Sequence, residues 1–288
     1  MKLNFKCLPC NLNQTLRITE LLNCTDEQKK LIFADVFDYL KNIDYELANP
    51  HTMKGILKIV TKYTNNANPY SEIKKYYNNI LLDQAEAIEN IIMNSNDLFF
   101  TALKTAIIGN IIDFGPAHKF NKDIILEKIK NVDDYNLTVN NSNELKDALS
   151  KSKTLLYIGD NCGEIVLDKI FIKFIKETYP DLKVIFAVRG KPALNDVTTE
   201  DALMVKMDEV AEIIDSGDGS PGTILENTSD SFREVFFSAD TVIAKGQGNY
   251  EGLSDVNKDN LFLLFMAKCE VVANIAGVEK MSIVCLKN

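Results

Sequence analysis

Histidine is scarce in this chain: His51 and His118 are the only two. Soft nitrogen ligands are therefore in short supply, which shifts attention to oxygen and sulfur donors. Positive charge is scarce as well. Lysine and arginine total 32 against 41 acids, a net charge of −9, and no basic stripe gathers what there is. That balance argues against a nucleic-acid partner. No uninterrupted apolar run approaches the ~20 residues that span a bilayer, so no membrane partner is expected. The opening "MKLNFKCLPCNLNQ" lacks the apolar core of a signal peptide. A cytoplasmic protein is expected, with its six cysteines mostly reduced. Internal repeats and low-complexity tracts are absent too.

What is present is an ordinary globular composition. The 288 residues are 46% hydrophobic and 25% charged, enough for one large domain or two smaller ones. The first part reads as helix. In "TDEQKKLIFADVFDYLKNI" Thr25 is a candidate N-cap, and Leu31, Ile32, Val36, Phe37 and Leu40 recur at helical spacing. The same pattern predicts helix over 70–93, after the break at Asn68-Pro69, and over 98–114. The second part changes period. Strand-like runs at 154–159, 183–190, 211–217, 240–246 and 281–287 alternate with amphipathic stretches such as 164–179. That alternation predicts an α/β fold with a mostly parallel sheet covered on both faces. A helical region over 1–115 and an α/β domain over 116–288 are expected, with a soft boundary between 115 and 150.

In such sheets ligands bind outside the carboxyl ends of the strands. Asp160, Asn161 and Glu164 follow the first run. Arg189, Lys191, Asn195 and Asp196 follow the second. "DSGDGSPGT" follows the third, and Lys245, Gln247, Asn249 and Glu251 follow the fourth. One polar loop is unremarkable in a globular protein, but four in succession at one edge predict a site. Asp and Asn oxygens suit a hard cation such as Mg²⁺ or Mn²⁺. Lys245 and Arg189 are placed to neutralise phosphate, and the glycine loop at 215–223 to offer backbone N–H groups. Together they point to a phosphate site. A haloacid-dehalogenase pattern fails, because Cys162 stands where a second Asp is needed. A Walker A loop is absent, and Gly159 and Gly163 are too few for a dinucleotide fingerprint.

"YIGDNCGEIVLDK", "VRGKPALNDVTTEDA", "DSGDGSPGT" and "AKGQGNYEGL" together resemble the DUF89 family, the damage-control phosphatases with the ARMT1-like fold. "CLPC" (Cys7, Cys10) and "IIGNIIDFG" (107–115) are similar to its prokaryotic, CxxC-bearing branch. The resemblance runs over nearly the whole chain. It implies a helical N-terminal region followed by an α/β/α sandwich. It also implies metal-dependent hydrolysis of phosphomonoesters, such as sugar phosphates or damaged phosphometabolites, with Mn, Mg, Co or Ni as the divalent cofactor. The metal would be held by Asp160, Asn161 and Asp196, with Lys245 on the substrate. Asn249, Arg189, Asn110, Asp113 and Glu164 complete the expected substrate site. Asp160, Lys245 and Asp196 are the expected catalytic residues.

Several readings stay open at this level. Glu164 is placed either to cap the following helix or to reach the site, and either Asp196 or Glu164 could act as base. Gly159 and Gly163 would let the chain turn so that Asp160 and Asn161 face one ion. Cys7 and Cys10 form half a metal site, a redox pair or two packed thiols; Cys24, His51 and His118 are the candidate further ligands. Cys162 reads as a space-filler, and Cys269 and Cys285 read as core. Two other function classes compete. "LLYIGDNCG" faintly resembles the first glycine loop of S-adenosylmethionine-dependent methyltransferases, and a non-catalytic metal- or metabolite-binding module is the third reading.

Overall fold

The computed structural model describes residues 1–111 and 127–288. Six helices fill the first part: α1 (Cys7–Leu21), α2 (Asp26–Lys41), α3 (Asn49–Thr64), α4 (Ser71–Leu82), α5 (Ala85–Met93) and α6 (Leu98–Ile108). Thr25 does cap α2. Its hydroxyl accepts from the Gln28 N–H at 3.2 Å while the Gln28 side chain accepts from the Thr25 N–H at 3.0 Å, the reciprocal capping box. The helix expected over 70–93 is broken at Asp83 and Gln84 into α4 and α5. α6 ends before its expected limit, in a 3₁₀ turn over Gly109–Ile111. Asp113 and His118 lie outside the described residues, as does the start of the expected domain boundary.

The second part alternates β1 (Leu137–Asn140), α7 (Ser142–Lys151), β2 (Thr154–Ile158), α8 (Glu164–Thr178), β3 (Lys183–Val188), α9 (Thr199–Met204), β4 (Glu212–Asp215), α10 (Asp230–Ser238), β5 (Thr241–Lys245), α11 (Gly246–Leu253), β6 (Leu261–Met266), α12 (Glu270–Ala276) and β7 (Ile283–Lys287). Among the described residues the strands form one seven-stranded sheet, ordered β1-β7-β6-β5-β2-β3-β4. Every pairing is parallel except β6 with β7. The α/β/α expectation is met. β1 and β6 have no counterpart in the strand runs read from sequence. β1 is four residues in an Asn-rich stretch, and "LFLLFM" is a continuous apolar run that periodicity cannot assign.

Alternate residues of β2 supply the two faces. Leu155 and Tyr157 pack into one apolar cluster with α4–α6 and α8; Leu156 and Ile158 pack into another with α10–α12. Phe171, Phe174 and Ile175 of α8 are buried in the first, as is Cys162, while α1–α3 share a third, smaller cluster. The helical region thus covers one face of the sheet and reaches its carboxyl edge.

Candidate active site

The carboxyl edge is closed by a backbone ladder between the loops after β2 and β3. The Val197 N–H donates to the Asp160 carbonyl at 2.9 Å and the Cys162 N–H to the Asn195 carbonyl at 3.0 Å. Asn161 and Asp196 pair across this short antiparallel bridge. Residues separated by a whole helix and strand are thereby held side by side. Gly163 makes the turn into α8, with φ +78°. Gly159 has no positive φ; it is small because Phe186 packs against it. Gly246 is confined from the other side, since a Cβ there would fall 1.8 Å from the Asp160 carboxylate.

Four carboxylates gather here. Asp160, Glu164, Asp168 and Asp196 are all buried; among the described residues Lys245 and Arg189 are the buried cations bonded to them, while buried Lys74 is paired with Asp201 and acts on Asp196 from further off. Arg189 donates from Nε to Asp196 Oδ2 at 2.6 Å and from its terminal nitrogens to Thr223 Oγ1 and Asn249 Oδ1, both at 3.1 Å. Lys245 donates to Glu164 Oε1 and Asp168 Oδ1, each at 2.6 Å, and to the Ala106 carbonyl at 2.8 Å. Asn110, from the turn after α6, sends its Nδ2 to Asp160 Oδ2 and Glu164 Oε2, each at 2.9 Å. Asn161 Nδ2 donates to the same two oxygens, at 2.6 and 3.1 Å.

Negative charge is in excess. Burial, reinforced by Asp196 and Glu164, pushes the Asp160 carboxyl up to about 8. Burial also raises Asp196, against the opposition of Arg189. Asp168 is pushed up to about 6 by burial, with Lys245 the main opposing influence. Burial alone would lower Lys245, but Asp168 and Glu164 outweigh it and hold the ammonium above the usual lysine range. Asp160, Asn161 and Asp196 border a cavity of about 190 Å³.

Comparisons with known proteins agree on what this architecture is. The sequence matches the damage-control phosphatase ARMT1-like domain over residues 4–284. The chain belongs to the ARMT1-like damage-control phosphatase family. It is 32% identical over 290 residues to a damage-control phosphatase of Pyrococcus horikoshii, covering all of this chain and 99% of that protein. It is 31% identical to a damage-control phosphatase of Archaeoglobus fulgidus, covering 96% of each. The crystal structure of a DUF89 family protein from Pyrococcus horikoshii superposes with a TM-score of 0.93 at 31% identity, covering all of this chain and 99% of that one. An ARMT1-like phosphatase is an enzyme, so the methyltransferase and non-catalytic readings fall away.

Against this ARMT1-like frame the expected site residues separate into two groups. Asp160, Asn161 and Asp196 border the cavity, with Asn195 beside them. Asn110 joins them from 50 positions away. Lys245, Glu164, Arg189 and Asn249 lie behind them, buried. Lys245 was expected on the substrate. Its three donors are instead taken by Glu164, Asp168 and the Ala106 carbonyl, because β5 aims it into the sheet–α8 interface. Asn249 is likewise used up: it accepts from Arg189 and Thr223 and donates to the Gly159 and Lys245 carbonyls. The glycine loop was expected to offer free N–H groups. Those of Gly217, Asp218 and Ser220 are bound to side chains within the loop, and Asp218 pairs with Lys54. Asp113 lies outside the described residues.

Sequence reading missed Arg17, Gln14 and Tyr70 on the helical side and Lys268 after β6, all of which border the cavity. Gln14 Nε2 donates to the Tyr70 hydroxyl at 2.8 Å. Lys268 follows a strand, so the strand-end rule would have found it had β6 been recognised. Nothing local marks Arg17.

The cysteines also sort differently from expectation. Cys24 is buried among α1–α3, and His51 faces Asn227 at 3.3 Å. Among the described residues neither joins the CxxC in a metal-ligating group. Cys269, expected in the core, is half-buried at the start of α12, where Gln247 Nε2 donates to its sulfur at 3.7 Å. Burial pushes the Cys7 thiol up to about 11, with Glu251, Cys269 and Cys10 adding repulsion. Cys10 is raised by burial, then by Cys269 and Glu251.

Proposed function

We propose that this phosphatase is a divalent-metal-dependent phosphomonoesterase acting on small phosphorylated metabolites, with the ion held by Asp160, Asn161 and Asp196. One observation carries the reading: among the described residues four buried carboxylates, Asp160, Glu164, Asp168 and Asp196, share the buried cations Lys245 and Arg189, with Lys74 committed to Asp201, and two of the four open onto the cavity. A divalent ion balances that excess. Buried carboxylates need pairing, and hard oxygen donors match Mg²⁺ or Mn²⁺. Among the described residues no three His, Cys, Asp or Glu side chains stand in ligating geometry; the donor set is two carboxylates and an amide. Bound there, such an ion supplies Lewis-acid polarisation of a phosphoryl oxygen and lowers the pKa of a water.

The chain's own residues supply the rest. Arg17 and Lys268 are the cations at the cavity wall, placed to receive phosphate oxygens through charge-assisted hydrogen bonds. Arg189 holds Asp196 in place and is itself held by Thr223 and Asn249. Lys245 and Asn110 position Glu164 and, through it and Asn161, Asp160. Of the two candidate bases only Asp196 borders the cavity, so the proton-accepting role falls to it. The helical region 1–115 acts as the other wall through Gln14, Arg17 and Tyr70. A cytoplasmic location, expected from the sequence, is part of the same reading.

The cavity suits a sugar phosphate or a similarly small ester. The deciding experiment is hydrolysis of p-nitrophenyl phosphate by protein stripped with a chelator, then supplied with Mn²⁺, Mg²⁺, Co²⁺ or Ni²⁺. A panel of metabolite phosphates follows. Equal turnover with and without every ion refutes the metal-dependent reading.

A further inference from the structure

A second cavity, of about 480 Å³, lies beside the phosphatase cavity. Small-molecule pockets usually run from ~300 to ~1,000 Å³, so it is of ligand size by itself. The two cavities share a wall. Leu194 borders both. Pro69 borders the larger and Tyr70 the smaller; Gly219 borders the larger and Pro221 the smaller. Leu194 holds φ at +51°, a left-handed backbone that disfavours any residue with a Cβ and that clusters where ligands are handled. Ser220, between Gly219 and Pro221, is fully buried, and its hydroxyl has no hydrogen-bond partner among the described residues.

The charge around the larger cavity runs against that of the chain. In a protein of net charge −9, three lysines and one acid are the charged residues that border it among the described residues. Lys54, Leu57, Lys58 and Thr61 recur at three- and four-residue spacing, so one stripe of α3 faces the space. Lys54 and Lys58, one turn apart on that stripe, repel each other. Lys191 comes from the loop after β3. Asp218, the one acid, is taken by Lys54. Lys58 and Lys191 form no ion pair among the described residues. An anion is the partner class this arrangement lacks. Resting on the phosphatase reading above, we propose that the larger cavity receives the far end of the substrate and that this end carries a second phosphate. The substrate class is then a bisphosphate, with one phosphoryl group at Asp160, Asn161 and Asp196 and the other at Lys58 and Lys191. Lysine suits this role as a point charge that accepts phosphate from several directions. A ligand oxygen at the shared wall is also the acceptor that the Ser220 hydroxyl lacks.

The test compares esters that differ only in the second phosphate. Propane-, hexane- and nonanediol bisphosphates are set against the monophosphates of the same diols, with p-nitrophenyl phosphate as the reference for hydrolysis itself. At the length that spans both cavities the bisphosphate should show a KM at least about tenfold lower with kcat unchanged, because the added contact is the same in ground and transition states. Lys58→Ala/Lys191→Ala should remove that advantage and leave the monophosphates as in wild type. Both side chains are exposed, so the fold tolerates the change. Lys58→Glu/Lys191→Glu should invert the preference. A KM advantage under about twofold at every length overturns the proposal, as does an advantage that survives in Lys58→Glu/Lys191→Glu. If p-nitrophenyl phosphate and every other ester go unhydrolysed with each ion, it is the phosphatase reading that fails. Calorimetric titration of the bisphosphates then decides the anion site separately. Binding tighter than that of the monophosphates, and lost in the lysine variants, supports it; equal binding overturns it.

Discussion

Replacing Lys245 by methionine separates two accounts of this residue. In the structure its ammonium is fully buried between Glu164 and Asp168, each at 2.6 Å. It also donates to the Ala106 carbonyl at 2.8 Å. Methionine keeps much of the volume and removes the charge. Two carboxylates are then buried near each other without their cation, a loss of about 3–5 kcal/mol for breaking a buried ion pair. At about 2 °C per kcal/mol for a chain of this size, the melting temperature should fall by roughly 6–10 °C. The loss should depend on pH. Asp168 already sits near 6, above the ordinary carboxylate value, so its favourable contribution is complete below about pH 4 and disappears as pH rises through 6. Removing Lys245, its main opposing influence, pushes that window higher. The variant's deficit should therefore be smaller at pH 5 than at pH 8. Adding Asp168→Asn to Lys245→Met should recover part of it. The assay is thermal unfolding of wild type, single and double variants at both pH values, beside kcat/KM on one phosphate ester. If the single variant melts within about 2 °C of wild type yet loses 10²-fold or more in kcat/KM, Lys245 contacts the phosphoryl group after all and the positioning account is wrong.

Asp160→Ala should abolish metal-stimulated hydrolysis while leaving the metal-free melting temperature unchanged or raised, because a carboxyl pushed up to about 8 is held mostly protonated near neutral pH, at a cost to the folded state relative to an unfolded chain that ionises it; wild-type turnover in the folded variant sinks the assignment. Arg17→Ala and Lys268→Ala should each lower kcat/KM by about 10- to 100-fold, the scale of one hydrogen bond to a charged group; unchanged values for both would move the phosphate elsewhere in the cavity. Chelation should stop turnover and lower the melting temperature, and restoring an ion at about 100 times its Kd should return about 2.7 kcal/mol of stability; a chelator-insensitive melting curve contradicts a bound ion. Cys7→Ser/Cys10→Ser should keep substantial phosphatase activity, since hard-metal phosphate chemistry needs no thiolate; complete loss in the folded variant would place the CxxC in the reaction itself.

Much of this protein is written locally. Short apolar β-rich runs mark β2–β5 and β7, and period-3.6 apolar patterns mark α2, α4–α6 and α8, because the patterning that buries an element is carried by neighbours in sequence. The Thr25 capping box is equally local, needing only residues 25–28. Even the meeting of Asp160, Asn161 and Asp196 was legible, since parallel strands joined by helices bring every strand-end loop to one edge of the sheet. What no local pattern encodes is which polar side chains at that edge turn inward and which face the cavity. Lys245 and Glu164 go in because α6 and α8 close over them, with Asn110 and the Ala106 carbonyl as partners from far along the chain. Arg17 and Lys268 come to the cavity from opposite ends of the sequence. Those choices are made by burial: a charged group enters only where packing brings it a partner, and the partners are assembled only by the tertiary fold.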